Sequence, residues 1–109
     1  MNAALYLAQR LSAMVLAFAV TAHLATILYA VRGGLTAGEI LARTRHNDAF
    51  LFLYVVFVVA VAVHAPIGLR NVINEWTPWR GPLVDRALVG FGGLLFGLGL
   101  LAVMAVYQP

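Results

Sequence analysis

Cysteine is absent from this chain of 109 residues, and so is lysine. Without thiols it can hold neither an iron–sulfur cluster nor a disulfide, so any cluster that serves it belongs to a partner. Charge is scarce as well: 10% of the residues are charged, and no acidic residue falls in the middle of a long apolar run. Acids at mid-membrane depth are a usual means of moving protons and ions, so a small homo-oligomeric transporter or scaffold is a weak alternative here. The net charge of +3 comes from seven arginines scattered at the ends of apolar segments. That distribution suits interface anchoring and speaks against nucleic acid as a partner.

Apolar residues fill the space instead, at 63% of the chain, with a mean hydropathy of +0.94. The runs Leu11 to Val31, Ala49 to Leu69 and Ala87 to Tyr107 are each about 21 residues long, and a bilayer core of about 30 Å requires roughly 20 helical residues. The sequence therefore predicts an all-α integral membrane protein, one domain over 1–109, with spans at approximately 8–31, 49–71 and 84–107. The first run does not fit a cleaved signal peptide: no basic stretch precedes it, it is too long, and no small-x-small cleavage site follows. Arg10, Arg70, Arg80 and Arg86 lie on the side of the N-terminus, against Arg32, Arg43 and Arg45 on the other, which favours a cytoplasmic N-terminus by four to three.

The connections are short. Gly33 and Gly34 break the first helix, and Thr36-Ala37-Gly38-Glu39 reads as a capping box opening a brief interfacial helix through about Arg45. Trp76, Pro78, Trp79, Gly81 and Pro82 make the second turn, with two aromatics suited to the membrane interface. In the third span Gly93-x-x-x-Gly97 would let another helix approach closely, although general helix packing is the favoured reading of these glycines.

Two histidines stand inside the first two runs, and an intramembrane ionisable residue is a functional-site hypothesis by default. His23 lies 13 residues from Arg10 and His64 lies 6 residues from Arg70. At 1.5 Å per residue these are depths of about 20 Å and about 9 Å, an offset of about 10 Å. Two axial ligands of one haem sit at nearly the same depth, so each histidine is expected to face a ligand from elsewhere. Ser12, Leu16 and Ala19 share the face of His23; Phe57, Ala60, Gly68, Asn71 and Glu75 share that of His64. Beside His64 this leaves a small-residue notch of the kind a flat macrocycle needs, and Pro66 bends the helix there. The plainer alternatives are an interhelical hydrogen bond for each histidine, snorkelling anchors for Arg10 and Arg70, and a helix end for Glu75 and Trp76. His46 is expected to be solvated and without a role.

Gln9-Arg10-Leu11-Ser12, His23-Leu24 and His64-Ala65-Pro66-Ile67-Gly68-Leu69-Arg70 together resemble the cytochrome b membrane anchors of succinate dehydrogenases and fumarate reductases, over roughly residues 5 to 80. Ala13 departs from the glycine that many members carry after the serine. The resemblance implies a non-flavin subunit of a succinate:quinone oxidoreductase of the tricarboxylic acid cycle, without a dicarboxylate site of its own, in a bacterial inner membrane. It implies a flavoprotein and an iron–sulfur subunit as partners, with a second anchor subunit or a second copy of this chain completing the membrane domain. His64 would be an axial ligand of haem b, His23 of a second haem nearer the outer side. Arg10, Ser12, Arg70, Glu75 and Trp76 would serve haem propionates or quinone. A haem-free anchor of the same family is the nearest alternative.

Overall fold

The computed structural model describes residues 2–108. It contains four helices, α1 (Ala3–Gly33), α2 (Ala37–Thr44), α3 (Asp48–Trp76) and α4 (Pro82–Tyr107). Three of them are long and apolar enough to cross a bilayer, and α2 lies between the first and second as the capping box foretells.

The helices outrun the apolar runs because capping, and not hydropathy, ends them. Asn2 accepts the Leu5 N–H at 2.8 Å and starts α1 at Ala3, ahead of the apolar boundary near residue 8. At the far end of α3, Arg80 folds back to donate to the carbonyls of Asn74, Thr77 and Trp79. A cation suits the C-terminal end of a helix. Pro82 opens α4 at the first-turn position that a missing N–H suits. Between α1 and α2, Gly34 takes φ +113°, and its missing Cβ leaves room for the Glu39 carboxylate. Thr36 donates to Glu39 Oε1 at 2.6 Å and accepts the Glu39 N–H at 3.2 Å, closing the capping box.

α3 is the middle helix: it packs along both α1 and α4, which themselves barely meet. The result is a layer with extents of 49 × 23 × 22 Å, and a layer of helices has little interior. Among the described residues the buried apolar side chains are Ala19, Ala60, Leu88 and Val103. Phe18 and Phe52 are each 74% exposed, which water would penalise and hydrocarbon or a partner helix does not. The last turn of α4 is latched to the α2–α3 connection: Thr44 donates to the Val106 carbonyl at 2.8 Å, the His46 N–H to that of Tyr107 at 3.1 Å, and Tyr107 to Asp48 at 2.6 Å. His46 is exposed as expected, yet it takes the left-handed φ of 54° that turns the chain into α3.

Small residues set the α3–α4 distance. α3 runs unbroken through Pro66, whose ring cannot donate to the Ala62 carbonyl. A Cβ on Gly92 would stand 3.0 Å from that oxygen and 3.0 Å from Pro66 Cγ, and one on Gly99 would meet Val58 Cγ1 at 2.6 Å. Gly93 and Gly97 meet nothing within 4 Å. The close approach inside the chain thus belongs to Gly92 and Gly99, seven residues apart and so on one face, and the Gly93-x-x-x-Gly97 pair is turned away from α3.

Gly92→Val should lower the thermal midpoint of the detergent-solubilised protein by the equivalent of about 1–3 kcal/mol, the usual cost of overpacking. Gly97→Val, on the open face, should leave it unchanged. The capping box should be pH-sensitive. The Thr36 hydroxyl first, then its backbone N–H, hold the Glu39 carboxyl below its ordinary range. A depressed carboxylate contributes fully above its unfolded value and loses that contribution as pH falls through its folded one. Amide exchange at Thr36 and Glu39 should therefore rise on acidification below the ordinary glutamate range, and Glu39→Gln should abolish that dependence.

Candidate functional site

Both intramembrane histidines lie on the seam between α1 and α3. His64 Nδ1 is 3.4 Å from Ser12 Oγ, and Ser12 is buried. The serine hydroxyl has one hydrogen and gives it to the Gln9 carbonyl at 3.1 Å, so toward His64 it acts as the acceptor. That pairing calls for the imidazole proton on Nδ1. His23 Nδ1 is 2.6 Å from the Tyr54 hydroxyl, which is 2.9 Å from Thr26 Oγ1. Its ring meets Tyr54 and Phe57 edge-on, at centroid distances of 5.5 and 5.4 Å.

The other nitrogen of each ring, Nε2, has no hydrogen-bond partner among the described residues. Nor is it sealed in: the one buried side-chain polar atom left unpartnered among those residues is Gln9 Oε1. Each imidazole thus holds one nitrogen inside the helix layer and opens the other outward. No group of three or more histidine, cysteine or acidic side chains is assembled among the described residues, so each histidine can supply only one ligand to a metal. That donor set suits haem iron, whose macrocycle brings four nitrogens of its own.

The seam also fixes the depths. Ser12 is level with His64, Gln9 with Gly68, and His23 with Tyr54, ten residues from His64 along α3. The histidines are therefore about 15 Å apart along the membrane normal, more than the 10 Å inferred from end markers. Those markers are not level: Gln9 opposite Gly68 puts Arg10 opposite Ile67, three residues deeper than Arg70. One iron cannot reach both rings.

The remaining candidates do not form one cluster. Arg70 pairs with Asp85 at 3.3 Å and ties α3 to α4, so its charge is already matched. Ser12 is turned to His64. Arg10, Glu75 and Trp76 are exposed, and Glu75 lies eight residues beyond the level of Arg10, about 12 Å nearer the end of the helix layer. Gly68, read as a notch for a macrocycle, is instead faced by the Gln9 amide, whose Nε2 would be 3.3 Å from an added Cβ. Gln9 itself, facing Gly68 with its side-chain Oε1 buried and unpartnered, is no site residue by sequence, because a glutamine at a helix end is unremarkable there. Tyr54 and Thr26 were missed as well. Tyr54 sits about 80° off the His64 face of α3, although it is the one hydroxyl-bearing residue in the apolar run of that helix.

Beside His23, at the end of the molecule away from the N-terminus, the four helices leave a cavity of about 900 Å³ that also includes Thr26, Tyr54, Tyr29 and Arg43. Arg43 donates to the Gly34 carbonyl at 2.6 Å and lies over the Tyr29 ring at 5.8 Å. On the other half, a narrower groove of about 400 Å³ runs along Ser12, Val15, Val59 and Ala60.

A family model, the succinate dehydrogenase/fumarate reductase transmembrane subunit, matches residues 1–82. Comparison with curated proteins and with solved structures gives no match. The matched stretch begins with α1, contains the whole histidine-bearing seam and stops where α4 begins. Covering well over half of the sequence, it shows that this integral membrane chain belongs to the transmembrane subunits of succinate dehydrogenase and fumarate reductase, and so to a multi-subunit oxidoreductase complex.

Proposed function

We propose that the chain is a haem b-carrying anchor that docks the flavoprotein and iron–sulfur subunits of its complex and passes electrons to or from a quinone. The observation that carries this reading is the disposition of the two imidazoles, each with Nδ1 engaged within the chain and Nε2 facing out. In hydrocarbon an unpartnered nitrogen acceptor is costly. A haem-free anchor would leave two of them. Haem with two imidazole ligands keeps no open position and supplies one-electron transfer.

The depth difference of about 15 Å assigns the histidines to two separate groups, one on each half of the membrane. Each then needs a second imidazole from another helix, contributed by a second copy of this chain or by a companion anchor subunit. His64 serves the half that holds the N-terminus, and the four-to-three excess of arginines on that side supports a cytoplasmic surface there, where the cluster-bearing partner would dock. To admit a macrocycle edge at the Gly68 notch, the flexible Gln9 side chain would swing aside, being the one described group within 4 Å of a Cβ built there.

Quinone binds at the same surface. Arg10, level with Ile67 and without a carboxylate partner among the described residues, supplies a hydrogen-bonding cation for a quinone carbonyl, while Ser12 acts behind it through His64. Glu75, nearer the water, delivers protons, and Trp76 packs at the entrance.

His64→Ala should abolish or sharply alter the dithionite-reduced α-band of the purified complex, and His23→Ala should remove a distinct second contribution. An unchanged spectrum in both variants would refute haem ligation. Arg10→Ala or Trp76→Ala should lower quinone reduction several-fold while haem content and dye-linked succinate oxidation stay intact. Full quinone turnover in both would place the site elsewhere.

A further inference from the structure

Hydrogen bookkeeping around His23 has one solution. A carbonyl can only accept, so Thr26, 2.7 Å from the His23 carbonyl, spends its single hydroxyl hydrogen there. Toward Tyr54, at 2.9 Å, Thr26 Oγ1 is therefore the acceptor and the phenol the donor. The phenol's single hydrogen is then used. At 2.6 Å from His23 Nδ1 it can only accept, and the imidazole must donate. The chain of bonds runs from the His23 ring through Tyr54 and Thr26 back to the His23 backbone, and it closes without water.

From this we infer that Tyr54, oriented by Thr26, is a positioning residue that locks His23 as the Nδ1–H tautomer and presents the Nε2 lone pair to the outer cavity. Three separate features converge on that role. His23, Thr26 and Tyr54 all line the cavity of about 900 Å³. The Tyr54 ring is held rigid, stacked on Phe50 at a centroid distance of 4.3 Å and near Phe57 at 6.1 Å. The alternative tautomer would place a proton on Nε2, where it blocks coordination, since a metal-bound imidazole needs that lone pair. A hydrogen-bond acceptor behind a ligating imidazole strengthens it as a donor, so Tyr54 would lower the reduction potential of an iron held by His23. That second effect rests on the reading of His23 as an axial ligand; the tautomer does not.

The two partners have opposite signatures when removed. Tyr54→Phe keeps the stacked ring and deletes the acceptor, leaving His23 free to exchange tautomers. Thr26→Val deletes the acceptor for the phenol proton, so that Tyr54 turns its hydrogen onto His23 Nδ1 and drives the imidazole proton to Nε2. Nitrogen-15 spectra of the histidine-labelled full-length chain in nanodiscs, assigned with His23→Ala, read the tautomer directly. The expected result is Nδ1–H in the wild type, a mixture in Tyr54→Phe and Nε2–H in Thr26→Val. Wild-type His23 found as Nε2–H, or a tautomer indifferent to both substitutions, overturns the inference. In the purified complex, Tyr54→Phe should raise the midpoint potential of the His23-dependent haem alone, and Thr26→Val should deplete that haem while the His64-dependent band persists. Equal shifts in both haems would mark a merely structural role for Tyr54 and overturn the positioning claim. Full haem content in His23→Ala would instead defeat the axial-ligand reading, with the tautomer still decided by the nitrogen spectra.

Discussion

An imidazole placed in hydrocarbon has two nitrogens to satisfy and no water to do it. Everything distinctive in this chain follows from solving that problem twice. On α1, Ser12 and Thr26 spend their hydroxyl hydrogens on backbone carbonyls and keep their oxygens as acceptors. On α3, His64 meets the first of these directly and Tyr54 meets the second on behalf of His23. Small side chains make the contacts possible: Ala19 and Ala60 are buried in the layer. Interhelical polar bonds of this kind contribute about 0.6–2 kcal/mol each in a membrane, so their value lies in orientation more than in stability.

The α3–α4 contact is built on a different economy. Among the described residues its buried members are apolar, Leu88 and Val103 on α4; Gly92 and Gly99 let the backbones close in, and the Arg70–Asp85 pair joins the ends. An exposed ion pair of this sort is worth about 0–1 kcal/mol. Steric fit carries that interface, and a single added methyl group is felt where Gly92 covers the carbonyl freed by Pro66.

Much of this was legible beforehand, because a membrane simplifies sequence reading. The three spans followed from run length, α2 from Thr36 and Glu39, and the separate levels of His23 and His64 from counting residues. What escaped notice did so for identifiable reasons. Hydropathy locates hydrocarbon and says nothing of Asn2 or Arg80, which end helices by satisfying backbone groups outside it. Depth measured from Arg10 and Arg70 assumed that both mark one plane, whereas the register of α1 on α3 sets Arg10 deeper. Grouping residues by helical phase assembled the face of His64 and passed over Tyr54, whose contact crosses to another helix. Periodicity within one helix carries no information about what the opposite helix presents. The spacing of Gly93 and Gly97 is silent on packing within the chain for the same reason, since a motif does not reveal which face its helix turns inward.

Because α1 and α4 barely touch, the seam that holds His23 and His64 is complete once α3 has entered the bilayer. A membrane protein emerges from its N-terminus, and its early segments can pair before later ones exist. The hydrogen bonds that orient both histidines join α1 and α3 alone, so they can form while α4 is still being made. The last helix then seals the side of α3 away from the histidines and latches itself through Thr44 and Asp48. Orientation of the two imidazoles is thereby uncoupled from the packing of α4 on α3.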